Sequence, residues 1–148
     1  EALIADVVYP GGRGGDSALA IGQINPMHAS AGGKALAAYF SETELRAVIE
    51  RLGLPRLGPA TITDPERFKD ELAWVRREKL ALMDRERGES AAVAAPVFNF
   101  QGECVAALGV TLPGEDRSRE IWSRFGETTR EAAQAASFAL GYAEAELK

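Results

Sequence analysis

The sequence predicts an α+β domain, a sheet with helices packed on it. Three observations carry that prediction. Apolar residues follow a helical period over residues 41–52 and 63–78, then give way to strand-like runs at Ala91–Phe100 and Cys104–Thr111. Asn99-Phe100-Gln101-Gly102 reads as a hairpin turn, so those two runs pair antiparallel. A long stretch with helical apolar spacing then closes the chain. At 148 residues the length suits one domain with a sizeable core, and neither a repeat nor a dividing linker is visible.

The elements follow in order. Ala2–Tyr9, rich in Ile and Val, is expected as a strand. Pro10–Asp16 holds four glycines in seven residues and is expected as a flexible loop. Ser17–Ile24 is expected as a second strand, with Leu19 and Ile21 on one face and Asn25-Pro26 stopping it. Ala35, Leu36, Ala38 and Phe40 suggest a helix entered through Ser30-Ala31-Gly32-Gly33. Ser41-Glu42-Thr43-Glu44 has capping-box spacing and opens a second helix, with Leu45, Val48, Ile49 and Leu52 as its apolar stripe and Gly53 at its end. Thr63-Asp64-Pro65-Glu66 reads as another capping box with Pro at the first helical position. That helix should run to about Glu78 with Phe68, Leu72 and Val75 inward. Strands are expected at Leu80–Met83, Ala91–Phe100 and Cys104–Thr111, the last offering Val105, Leu108 and Val110 to the core. A helix from about Ser118 to Glu146 carries Ile121, Trp122, Phe125, Ala132, Ala136, Phe138 and Leu140 along its faces, with Trp122 and Phe125 read as core.

Composition excludes several classes. Hydrophobic residues make up 46%, ordinary for a globular domain, and no run approaches the roughly 18 apolar residues of a membrane span. A net charge of −5 makes a poor match to nucleic acid, whose phosphates need a basic face. One cysteine, Cys104, permits no disulfide framework and fits a reducing cytoplasm. With His28 as the one histidine, a His/Cys metal cluster cannot form, and no cofactor is expected. The first residues show no signal peptide and no initiator Met, so the chain is expected to be a piece of a longer one.

Several stretches are similar to one family. Pro26-Met27-His28-Ala29-Ser30-Ala31-Gly32-Gly33-Lys34-Ala35-Leu36 is followed by Leu52-Gly53-Leu54-Pro55, Thr61-Ile62-Thr63-Asp64-Pro65 and Trp74-Val75-Arg76-Arg77. Val93-Ala94-Ala95-Pro96-Val97-Phe98, Val105-Ala106-Ala107-Leu108-Gly109-Val110 and Pro113 come next. This order, from Pro26 to the C-terminus, resembles the effector-binding domain of IclR-type bacterial transcription regulators. The resemblance implies a GAF-like domain over residues 1–148, a twisted antiparallel sheet flanked by helices with a long C-terminal helix. It implies a small organic acid as effector, aromatic acids included, and a homodimer or homotetramer. It also implies that DNA is reached through a winged helix-turn-helix domain outside this chain, and that the chain is not an enzyme.

The resemblance also places the effector between the sheet and the loop Ser30-Ala31-Gly32-Gly33. Backbone N–H groups at a helix start favour an anion there, and glycine lets a ligand approach closely. An acidic position of the family falls near Met83 or Asp84, a cysteine position on Ala92, two hydroxyl positions on Gly109 and Thr111, and an apolar position on Asn25. These departures imply a roomier pocket, polar at Asn25 and Thr111 and apolar at Met83, Ala92 and Leu108, suited to a larger or partly apolar acid. The other reading of the glycines is tight helix–sheet packing without a ligand. Two rival functions stay open: a ligand-free oligomerisation module, and a thiol enzyme using Cys104 and His28.

Remaining motifs take plainer readings. Gly11–Gly15 with Arg13 lacks the spacing of a phosphate-binding loop, and so does Gly33-Lys34, because residue 28 is not glycine and Ala35 carries no hydroxyl. Lys34 is therefore expected at the surface or in a subunit contact. His28 is expected to cap the helix start or to bond locally. The charged run Asp84, Arg85, Glu86, Arg87 and Glu89 is either a solvated loop or a lid.

Overall fold

The computed structural model describes residues 1–6, 20–112 and 116–143. Its elements are β1 (Ala2–Leu3), β2 (Ile24–Asn25), α1 (Ala31–Ala37), α2 (Glu42–Leu52), α3 (Pro65–Glu78), β3 (Ala81–Asp84), β4 (Ala91–Phe98), β5 (Cys104–Thr111) and α4 (Arg119–Ala139). This is the predicted α+β order. β1 and β2 form an antiparallel pair, and β3-β4-β5 form an antiparallel sheet with β4 central. No helix among the described residues is long and apolar enough to cross a membrane.

The hairpin forms where the turn residues put it. Gly102 takes φ 78°, and its N–H donates to Asn99 O at 2.9 Å. The Asn99 side chain accepts from the N–H groups of Gln101 and Glu103 at 2.9 and 3.0 Å. Beyond the turn the register slips at Val97/Phe98: Phe98 faces Cys104 while Val97 faces Ala106. Val105 is the extra residue of that bulge, which turns it out to 50% exposure rather than into the core.

Alternation along β4 divides the core in two. Ala92 and Ala94 face α1 and α3, in a cluster with Ala35, Phe68, Leu72, Val75, Ala81 and Met83. Ala91, Val93, Ala95 and Val97 face α4, against Ile121, Trp122, Phe125 and Ala133. Leu108 and Val110 also lie on the α4 side, so Leu108 does not line the face where the sequence placed it. Both flanks of β4 are thus covered over most of its length, which accounts for its almost unbroken apolar run. Pro96 is the exception in type. Its nitrogen points to the flank beyond the end of β3, where the next group in line, Phe98 N–H, donates to Ser137 Oγ at 2.9 Å.

Caps set the helix limits. Ser41 and Glu44 form the expected capping box. At α3 the cap is Asp64, whose carboxylate accepts from Arg67 N–H at 2.8 Å, so Asp64 takes the role given to Thr63. α4 stops at Ala139 rather than near Glu146: Gly141 at φ 80° lets Tyr142 N–H reach Ser137 O (2.9 Å) and Gly141 N–H reach Phe138 O (3.0 Å). Those two bonds are the Schellman arrangement that ends a helix. Trp122 and Phe125 pack inward as expected, whereas Phe138 and Leu140 are 69% and 47% exposed.

The N-terminal strands are shorter than the sequence suggested. Ile4 N–H reaches Gln23 O at 2.9 Å, but residues 21–22 turn, with Gly22 at φ 84° and Ile21 exposed. Asn25 belongs to the strand it was expected to stop, paired with Ala2. The glycine-rich loop, Leu19, Pro113 and the rest of the expected strands at 7–9 and 17–19 lie outside the described residues.

Candidate functional site

Helix α1 owes its position to small residues. Ser30 caps it: its hydroxyl accepts from Gly33 N–H at 3.1 Å and donates to Pro26 O at 2.7 Å. A Cβ on Gly33 would lie 2.6 Å from Met27 Cα and 2.7 Å from Met27 O, so the bend before the helix closes on that glycine. Gly33→Ala is expected to cost about 1–3 kcal/mol by overpacking against backbone, measured as a lower urea midpoint with an unchanged slope. Gly32 differs. It is half-buried, and nothing lies within 4 Å of where its Cβ would be. Among the described residues, the N–H groups of Ala31 and Gly32 have no hydrogen-bond partner. Ala31 itself is buried, so the open approach to this backbone is at Gly32.

The sheet supplies the floor. Met83 pairs with Ala92, Ala92 with Thr111, and Ala94 with Gly109. Cross-strand partners share a face, so Met83, Ala92, Gly109 and Thr111 all stand on the side where α1 packs. Met83 is buried, Ala92 half-buried, and Gly109 and Thr111 exposed. Of the two acidic-position candidates, Asp84 pairs with Ala91 on the α4 side and takes Arg117 at 3.4 Å, so it is Met83 that faces α1. Asn25 is half-buried on β2, and its side-chain oxygen accepts from Arg87. A separate cleft of about 360 Å³ lies beyond the end of β3, lined by Lys79, Pro96, Arg130 and Tyr142 among others. It contains none of the candidate effector-binding residues.

Two charged groups have roles other than the expected ones. Lys34 is fully buried, with Nζ 2.9 Å from Glu71 Oε1 and 2.7 Å from Glu86 Oε1. It is neither a surface nor a subunit-contact residue. The signal was present: a lysine inside Ala-Gly-Gly-Lys-Ala-Leu-Ala sits on a helix whose small faces all pack closely. Within the charged run, Arg85 and Glu89 are exposed as a solvated loop would have them, whereas Glu86 is 7% exposed and anchored, so the run is not a free lid. Burial pushes the Glu86 carboxyl up, more than Lys34 pulls it down. Thr61 Oγ1 donates to Glu86 O at 2.5 Å, which fastens the run to loop 57–61.

His28 bonds at long range, not locally: its Nε2 lies 2.9 Å from Pro55 O, and its ring meets Phe68 edge-on. Burial pushes the Cys104 thiol up to about 11, the opposite of an activated nucleophile. Arg76 donates to Ala38 O from Nε (2.8 Å) and closes the end of α1 from α3.

Known proteins resemble this chain along most of its length. Residues 15–138 match the family described as "Bacterial transcriptional regulator IclR C-terminal". The chain is 38% identical over 125 residues to the HTH-type transcriptional regulator XynR of Escherichia coli K12, covering 82% of this chain and 49% of that protein. It is 32% identical over 120 residues to the HTH-type transcriptional regulator BhcR of Paracoccus denitrificans, covering 80% of this chain and 43% of that protein. The chain thus spans about half the length of these curated relatives. Among solved structures, an IclR transcriptional regulator from Alicyclobacillus acidocaldarius superposes with TM-score 0.82 at 29% identity, covering 95% of this chain and 56% of that one. The inducer-binding domain of PobR from Acinetobacter, a double mutant in complex with 3-hydroxybenzoic acid, superposes with TM-score 0.75 at 29% identity, covering 88% and 76%.

Proposed function

Because the chain belongs to the IclR family of bacterial transcriptional regulators, as its C-terminal part, we propose that it is the cytoplasmic sensor of such a regulator, binding a small organic acid between α1 and the sheet. The observation that carries this reading is one shared face: the backbone N–H groups of Ala31 and Gly32, approachable at Gly32, stand on the side of the sheet that presents Met83, Ala92, Gly109 and Thr111. The N–H groups suit a carboxylate. The floor is apolar at Met83 and Ala92, with Thr111 and Asn25 as polar groups at its margin. Ala92 is small and Gly109 has no side chain, although a Cβ at Gly109 would lie 3.2 Å from Val93 O; the missing bulk favours an aromatic or otherwise bulky acid over a two-carbon one. The PobR domain bound to 3-hydroxybenzoic acid is in keeping with that class. Occupancy would favour one arrangement of a dimer or tetramer, and DNA would be contacted by a separate helix-turn-helix domain. The raised Cys104 thiol speaks against a thiol enzyme.

The test is thermal unfolding of the chain with a panel of aliphatic and aromatic carboxylic acids. A binder at about 100 times its dissociation constant is expected to add about 2.7 kcal/mol, a shift of several degrees. Gly32→Leu, whose side chain enters open space, is expected to fold normally and to abolish that shift. If no acid moves the midpoint, the reading fails and a ligand-free oligomerisation module replaces it.

A further inference from the structure

The loop between β3 and β4 is held in a fixed shape. Arg85 N–H donates to Ser90 O at 3.0 Å, Ser90 Oγ donates to Arg87 O at 2.9 Å, and Gly88 turns at φ 67°. This loop leaves the sheet one pair beyond Met83 and Ala92, and it carries Arg87 back to Asn25. Asn25 pairs with Ala2 on the β1–β2 ribbon, which itself packs against α1. The Asn25–Arg87 pair therefore bridges the α1 side and the sheet side of the proposed site.

The charge on Arg87 is the unusual feature. Cations nearby are matched: Lys34 by Glu71 and Glu86, Arg85 and Arg117 by Asp84. Arg87 is half-buried, and among the described residues its side chain has Asn25 Oδ1 as its partner and no carboxylate at ion-pair distance. One amide oxygen uses one of five guanidinium donors. A partly desolvated cation in that state favours an anion, and the planar fork left over matches a carboxylate. On the α1 face β3 presents Met83, while the Asp84 carboxylate belongs to the opposite face and is taken by Arg85 and Arg117.

We infer that Arg87 is the residue by which this site reads charge: its guanidinium, steadied by Asn25, engages the carboxylate of the bound acid. The inference rests on the acid-sensor reading above. It assigns the distinction between an acid and its neutral counterpart to one side chain outside α1.

The test uses 3-hydroxybenzoate, or whichever carboxylate of the thermal panel shifts the chain furthest, together with the corresponding neutral amide. Binding of both is measured by calorimetry to the unmodified chain and to Arg87→Gln, which keeps a donor for Asn25. The unmodified chain is expected to prefer the acid by at least about tenfold. Arg87→Gln is expected to lose about tenfold to a hundredfold for the acid and less than about twofold for the amide, so the preference collapses. Because the readout is a ratio, a general loss of stability cannot imitate it. Equal losses for acid and amide would make Arg87 structural and overturn the inference. Unchanged acid binding in the variant would overturn it while leaving the sensor reading intact. Failure of every acid on the unmodified chain would overturn both.

Discussion

Replacing Lys34 with methionine is expected to lower the unfolding free energy by about 3–5 kcal/mol, as when a buried ion pair is broken from one side. Methionine keeps the volume and removes the charge. Two carboxylates that now converge on one ammonium, at 2.9 and 2.7 Å, would face each other without it. Glu86 has little escape. It is 7% exposed, and its second oxygen already lacks a hydrogen-bond partner. The loss should depend on pH, and the sign follows from the raised Glu86 carboxyl. A carboxyl raised in the folded state holds its proton more tightly there than in the unfolded chain. Lowering the pH from 8 toward the ordinary carboxylate range therefore favours folding of both chains, and of the variant more, because without Lys34 nothing offsets the burial that raises Glu86. The gap between the two should narrow. Urea unfolding of both chains at pH 8 and near pH 5.5 measures it. A gap below about 1 kcal/mol, or one equal at both pH values, would mean that Lys34 is not held between the buried Glu86 and the half-buried Glu71.

Phe68→Ala is expected to cost about 3–5 kcal/mol, and Phe68→Leu less than about 2 kcal/mol. Phe68 is 1% exposed at the centre of the cluster that joins α1, α3 and the sheet. Its ring also supports His28, and through it the bond to Pro55 O. Truncation therefore opens a cavity beneath the helix that carries Gly32. α3 is fastened to α1 at two further points, Glu71 to Lys34 and Arg76 to Ala38 O. Loosening α3 should for this reason also weaken acid binding, although Phe68 is not among the residues proposed to touch the acid. Chemical denaturation gives the first quantity and the thermal shift with a bound acid the second. A small loss of stability would show that neighbouring residues collapse into the space.

The elements were legible because their signals are local. The Ser41–Glu44 box, Pro65 at a first helical turn and Gly102 in a hairpin act within four residues. Most of the errors share one cause: the deciding contact lies far along the chain. Ser41 satisfies its own helix, whereas Lys34 is buried by Glu71 and Glu86, 37 and 52 positions away. His28 reaches Pro55 across 27 positions. Leu108 was assigned to the wrong side because its face depends on register with β4, and Val105 left the core because that register slips by one. For the candidate site, the resemblance named Ala92, Gly109, Thr111 and either Met83 or Asp84, and the sheet register puts Met83 on one face with the other three. The resemblance carried no hint of Arg87, whose position depends on how the loop after β3 folds back to Asn25. Gly141 was a readable stop for α4, since glycine at that offset ends helices, and it was passed over in favour of apolar spacing.

Pro96 has a consequence for how this domain keeps company with its own kind. Sheets recruit extended chains through bare N–H groups along a margin. On the flank of β4 past β3, the proline nitrogen has nothing to donate, and the Phe98 N–H is occupied by Ser137. A stray strand laid there would find no ladder to climb. The domain can therefore leave that stretch of its central strand uncovered by a neighbour and still resist edge-to-edge aggregation.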